Sequence, residues 1–318
     1  MKLQELYELA VHQGIEADPR GKGGVELALA DTRQAYHELK EKEKEEFDQD
    51  RLWNPYDDTR ILCGDPGAEI NSILAGIDIE VGEVLLADRL REKGQRIDAI
   101  VAHHPEGTAL ARLHGVMHLQ EDILHNLGVS INIAEGILKE RIREVERGLM
   151  PVNHNRTIDA ARLLGFPMMC VHTPADNSVF RFLTTLFDRE APRKVKDVVE
   201  LLKEIPEYAQ AARHAAGPTI ICGAPDRRAG KIFIDMTGGT SGSEAAYEQL
   251  ASAGVGTIIA MHMKEEHRKK AEKYHLNVVI AGHIASDSLG MNLILDQFAA
   301  RGVQITACSG LIRHSRLQ

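Results

Sequence analysis

From residue 73 onward the chain repeats one alternation, a short apolar run followed by an amphipathic stretch. Apolar runs at 73–77, 97–102, 129–133, 167–172, 218–223, 230–235, 256–261, 276–281 and 302–307 read as strands. Helical patterns lie between most of them, at 83–93, 115–127, 136–147, 193–204, 243–253, 264–274 and 287–301. Strands alternating with helices in this way predict an α/β fold whose sheets are substantially parallel. Only "AGKIFIDM", following "PTIICGAP", reads as an antiparallel hairpin partner. Ahead of this region, residues 2–13 and about 25–47 read as helices joined by "EADPRGKGG". The charge run "ELKEKEKEEFDQD" suits a solvated face with i,i+4 pairs. "NPYDD" at 54–58 is turn chemistry. The polar, proline-bearing "REAPR" at 189–193 marks a boundary between lobes. The expected division is a helical segment 1–52, a first α/β lobe 53–190 and a second α/β lobe 191–318.

Bulk properties narrow the function classes. A net charge of −9 opposes a broad electrostatic grip on nucleic acid or anionic lipid, and seven Phe with one Trp give little base-stacking surface. No apolar run approaches the roughly 20 residues of a membrane span. "MKLQELYELAVHQG" is an amphipathic helix rather than a basic-then-apolar leader. The four cysteines, at 63, 170, 222 and 308, form no C-x-x-C pair and sit in apolar contexts, which suits reduced thiols in the cytoplasm and opposes a zinc–cysteine site.

The fifteen histidines cluster, and the clusters have a common design. "DAIVAHHPEG" carries His103 and His104, "PMMCVHTPADN" carries His172 and Asp176, and "NVVIAGHIASDSLG" carries His283 and Asp287. Each is an apolar strand whose C-terminal exit delivers imidazole or carboxylate, at the end of an α/β sheet where ligands collect. Neutral imidazole with carboxylate suits zinc, iron or manganese. In a helix starting after Gly282, His283 and Asp287 share one face. Pro105 ends the preceding strand, so both His103 and His104 can turn into one cavity, one to each of two ions. The blander reading of a lone strand-end histidine such as His172 is a satisfied polar group.

Three further motifs carry less. His114, His118, Asp122 and His125 form a stripe that suits a solvated or interface face. "MHMKEEHRKK" spaces His262 and His267 five apart, so it lacks the helical zinc spacing; His262 can line the pocket and His267 reads as surface. "TGGTSGSEAAYEQL" matches no full phosphate-loop pattern and reads as tight backbone packing.

Taken in order, "NPYDD", "LCGDPG", "ILAGID" with Asp78, "DAIVAHHPEG", "MTGGTSG" and "VVIAGHIASDSLG" resemble the dinuclear metal-binding family called NIF-three-like, often labelled GTP cyclohydrolase 1 type 2. The likeness covers most of residues 53–310. It implies metal ligands at His103, His104, Asp176, His283 and Asp287, a two-lobed fold of mostly parallel or mixed sheets flanked by helices, and ring-shaped homohexamers. This chain departs from the pattern in three places. Asp287 stands where the family usually has glutamate, extra helices lie around 136–164, and the N-terminal helices are longer.

The leading expectation is a metal-dependent hydrolase of phosphoester or nucleotide-type substrates. Two divalent ions (Zn, Fe or Mn) about 3.5–4 Å apart would activate water there. His172 and His262 are the candidates for moving a proton. The rival is a non-enzymatic oligomeric metal-binding scaffold, which closed coordination would favour.

Overall fold

The structure is a computed structural model, and it describes residues 1–317. In chain order its strands are β1 (Arg60–Cys63), β2 (Ser72–Gly76), β3 (Ala99–Ala102), β4 (Met168–Cys170), β5 (Thr219–Cys222), β6 (Lys231–Asp235), β7 (Val255–Ala260), β8 (Asn277–Ile280) and β9 (Gln304–Cys308). β2, β3 and β4 are buried at every position, as interior strands covered on both faces must be. They form a sheet of order β1-β4-β3-β2-β9, parallel except that β1 runs antiparallel to β4. The second sheet has the order β5-β8-β7-β6 and is parallel except for the β5–β8 pair. The fold is thus α/β with two mixed sheets flanked by helices. Segment 191–318 feeds both sheets, because its last strand, β9, returns to lie beside β2.

Four apolar clusters fill the layers. Leu3, Leu6 and Val11 of the helix Leu3–Ala17 pack with Ile73, Val101 and Met291. The opposite face of the first sheet, with Leu74 and Ile100, is covered by Val84, Ala87 and Ile158. On the second sheet, the helices Leu119–Asn126 and Ile131–Leu149 bring Ile123, Leu138 and Ile142 against Phe233, Ile258 and Val278. Its other face, with Ile234 and Val279, meets Val179, Leu183 and Val198. These two helices, lying in sequence between β3 and β4, therefore roof the second sheet.

Several expected elements differ. Residues 129–133 form no strand: Ser130 precedes the helix Ile131–Leu149, whose buried stripe Ala134, Leu138 and Ile142 has helical spacing, while Ile131 and Ile133 face outward. "AGKIFIDM" is no hairpin partner of β5. β5 and β6 lie at opposite edges, and the intervening chain crosses beneath β8 and β7, tied by Asn277 Nδ2 to Arg228 O and Gly256 O (3.1 and 3.0 Å). The 25–47 region is two helices, Gly21–Glu38 and Glu41–Glu46, and the 115–127 region is Leu113–Val116 and Leu119–Asn126. β1 and the helix Thr173–Glu190 lie outside the expected elements. All four cysteines are free, with Cys170 and Cys222 buried and Cys63 and Cys308 half-buried. No helix among the described residues is long and apolar enough to cross a membrane.

The two helices that follow β4 and β8, Thr173–Glu190 and His283–Ala299, touch at Gly290. A Cβ there would stand 2.4 Å from Ala175 O and 2.8 Å from Val179 Cγ2, so backbone contact leaves no room for a side chain. Gly290→Val should therefore lower stability by about 1–3 kcal/mol through overpacking, and push Asp176 and Asp287 apart. Thermal denaturation with metal stoichiometry reads both effects; an unshifted Tm with full metal uptake would contradict the packing account.

Candidate metal centre

The β3 ladder continues through the histidine pair, since His103 N donates to Gly76 O (2.9 Å) and His104 N to Ile77 O (3.0 Å). Consecutive extended residues diverge, and each ring is caught by a different neighbour. His103, fully buried, donates Nδ1–H to Val171 O at 3.0 Å. His104 directs Nδ1 at Asp78 Oδ1, 2.6 Å away. The rings lie side by side, centroids 5.1 Å apart.

The other two exits each lead into a helix carrying His-x-x-x-Asp. His172 precedes the helix Thr173–Glu190, where Pro174 occupies the first turn and Asp176 follows. His172 Nδ1 pairs with Asp58 Oδ2 at 2.7 Å. Asp58 is fully buried and also accepts from Thr173 Oγ1 at 2.6 Å. At the third exit Gly282 has φ +115°, a conformation side chains rarely adopt, and a Cβ there would meet Ala216 O at 2.5 Å. That turn starts the helix His283–Ala299 with its first histidine beside His104, ring centroids 5.3 Å apart, and with Asp287 four residues on, buried beneath.

Inner and outer ring atoms differ sharply in spacing. Three outer Nδ1 atoms make hydrogen bonds of 2.6–3.0 Å. The inner Nε2 atoms stand farther from the carboxylates: His103 is 3.5 Å from both Asp176 Oδ1 and Asp287 Oδ1, and His104 and His283 are 3.4 and 3.5 Å from Asp287 Oδ2. Charge-assisted hydrogen bonds are shorter, at about 2.7–2.9 Å. Two ligands held tetrahedrally at about 2.0–2.2 Å from one ion lie about 3.4 Å apart. His103 Nε2, Asp176 Oδ1 and both Asp287 oxygens are buried without any hydrogen-bond partner. Buried polar atoms rarely go unpaired, so the donor set fits a cation. The groups that could each hold one are His103/Asp176/Asp287, His104/His283/Asp287 and His103/His104/His172. The outer hydrogen bonds orient the rings, as partners behind metal-binding histidines commonly do.

Electrostatics agree. Burial lowers His103 to about 4, so its ring stays neutral. Burial raises Asp287, but His103 and the other imidazoles around it outweigh it and hold the carboxyl well below the usual range. Burial lifts Asp176 to about 8. Burial opposes charge on His172, yet Asp176 and Asp58 outweigh it and raise the ring to about 9. His172 Nε2 and Asp176 Oδ2 are 3.8 Å apart and titrate as a unit.

A cavity of about 340 Å³ opens beside the centre, lined by His104, His172, Asp176, His262, His283 and Asp287 at one end. His262 stacks edge-on to His283, centroids 4.9 Å apart. His267, expected at the surface, lines the cavity too, half-buried with its ring 5.5 Å from Tyr247. The Gly-rich segment after β6 forms part of the wall, its Gly238 and Thr240 carbonyls accepting from Gln120 Nε2 at 2.6 and 2.7 Å. In the histidine stripe His118 and His125 are exposed and His114 and Asp122 half-buried, with His114 pointing at Glu146 (3.9 Å) and His125 Nδ1 facing Val129 O (3.2 Å). The sequence reading missed Asp58, and left Asp78 without a role; only their place in "NPYDD" and "ILAGID" signals them.

Fold and site together define a two-sheet α/β protein with a buried His/Asp cluster able to hold metal. A NIF3 superfamily protein from Sphaerobacter thermophilus is 26% identical, with 80% of this chain and 92% of that chain covered at a TM-score of 0.70. Reduced HcgD from Methanocaldococcus jannaschii, 13% identical, shares the fold over 79% of this chain and 88% of its own at a TM-score of 0.52. No protein-family model matches the chain, and no curated protein matches it. The chain is therefore NIF3-like, its structural neighbours being NIF3 superfamily proteins whose fold it shares.

His172 and Asp176 titrate together with raised pKa, so the pair holds at least one proton at pH 7 in the metal-free protein. Cation uptake then expels about one proton or more. Titration calorimetry in buffers of different ionisation enthalpy should show this release at pH 7 and its decline as pH rises through 8 to 9. PH-independent uptake without proton release would contradict these assignments.

Proposed function

We propose that this chain is a metal-dependent hydrolase working with a pair of divalent cations that share Asp287. The supporting observation is the 3.4–3.5 Å spacing of unpaired donors on both sides of one buried carboxylate. His103, Asp176 and Asp287 would hold one ion, and His104, His283 and Asp287 the other. A bound divalent pair supplies Lewis acidity and a water of lowered pKa. Three protein donors per group leave positions for water and substrate, whereas a structural site is closed. That and the adjoining cavity favour hydrolysis over a scaffold role.

The chain's own residues do the rest. Asp58 and Val171 O fix the rings of His172 and His103, and Asp78 fixes His104. His172, bordering the cavity with Nε2 inward, and His262, beside His283, are placed to carry protons. Apolar walls such as Leu113 and Met261 limit bulk water. The ligand chemistry suits Zn, Fe or Mn and a phosphoester or nucleotide-type substrate, cyclohydrolase-like only by family label. Family resemblance supports a homohexamer, and the reduced thiols support a cytoplasmic setting.

The test is turnover of a phosphoester and nucleotide panel by metal-loaded protein, beside Asp287→Asn and the His103→Ala/His104→Ala double variant. Both variants should lose most bound metal, and activity should fall at least about a thousandfold. Asp58→Asn should retain metal and lose about 10–100-fold in rate. A panel left intact by fully loaded wild-type protein would contradict a hydrolase.

A further inference from the structure

The cavity has a second polar end that the metal centre does not use. Phe233 and Asp235 project from one face of β6 into the cavity, while Ile232 and Ile234 pack on the opposite face. Asp235 is open to the cavity. Among the described residues its carboxylate has no hydrogen-bond or ion-pair partner. No lysine or arginine is among the described residues lining the cavity. Phe233, Leu250 and Ile258 give apolar lining beside Thr237, Ser241, Ser243 and His267, and burial, then Asp235, oppose ionisation of the Tyr247 hydroxyl.

Position sets the scale. Asp235 pairs with Ala260 and Ala260 with Ile280, three residues before His283. Two strand spacings put the end of β6 about 10 Å from the exit of β8. A volume of about 340 Å³ suits a single-ring ligand, at the small end of the roughly 300–1,000 Å³ range of such sites. An exposed carboxylate without a protein partner loses its water when a ligand covers it, which is costly under an uncharged apolar group and is offset by a cationic donor.

Resting on the metal-centre reading above, we propose that Asp235 selects the ligand: it receives the ammonium end of a small amine with a ring-sized apolar body, whose other end reaches the His/Asp centre. Asp235 is then a specificity residue about one ring's length from the reacting end.

Non-hydrolysable probes separate this from the proposed hydrolysis. Zinc-reconstituted protein is titrated by calorimetry with 4-(aminomethyl)benzylphosphonate and with its near-isostere 4-ethylbenzylphosphonate. Wild type should bind the amine at least about tenfold tighter. Asp235→Asn should reduce that preference to about twofold or less, with zinc content and affinity for the ethyl probe unchanged. Asp235→Leu should reverse it in favour of the ethyl probe. Equal binding of both probes by wild type, or a preference surviving in Asp235→Asn, would overturn the role of Asp235 and leave the metal centre standing. Binding of neither probe to zinc-loaded protein would overturn this proposal together with the substrate-facing role of the cavity.

Discussion

Asp287 is a carboxylate with almost no solvent exposure and no hydrogen bond on either oxygen, wedged among imidazoles that arrive from both sheets. Burying such a charge costs several kcal/mol unless something positive compensates it. Protonated histidines at hydrogen-bond distance would do so, but the imidazoles stand back by 3.4–3.5 Å and His103 resists protonation. The surrounding architecture serves this one requirement. β3 supplies His103 and His104, the helix after β4 supplies Asp176, and the helix after β8 supplies His283 and Asp287. Gly290 lets the last two meet closely enough for their carboxylates to share a ring.

The two sheets match in plan. Each begins with an edge strand antiparallel to the strand that carries the exit, β1 on β4 and β5 on β8. Each exit strand leads into a helix whose start reads His-x-x-x-Asp, at His172–Asp176 and at His283–Asp287. The centre lies where these two similar halves face one another. Their details differ: His172 is pinned by buried Asp58, whereas His283 is partly exposed and lies against His104. The helices Leu119–Asn126 and Ile131–Leu149 close the cavity from the side.

Much of this could be read from sequence, for a physical reason. Buried parallel strands are uniformly apolar and end abruptly, so β2, β3, β7 and β8 and their polar exits stand out, and the five residues implied as ligands fall together. What escaped depends on long-range contact. β1 is a short edge strand of mixed burial, and nothing local marks Asp58 as the partner of His172, 114 residues away. The 129–133 run was ambiguous because apolar residues two apart fit a strand, while the helical stripe that fixes their state begins at Ala134 and needs the second sheet to be seen. β9 reads as a strand, but its return to the first sheet is set by packing alone.

Anomalous diffraction from crystals of the zinc- or manganese-loaded protein tests the central claim most directly. The account predicts two peaks, one on the Oδ1 side of Asp287 facing His103 and Asp176, the other on the Oδ2 side facing His104 and His283. Peaks remote from Asp287, or a metal-free centre in protein that binds cations elsewhere, would contradict it.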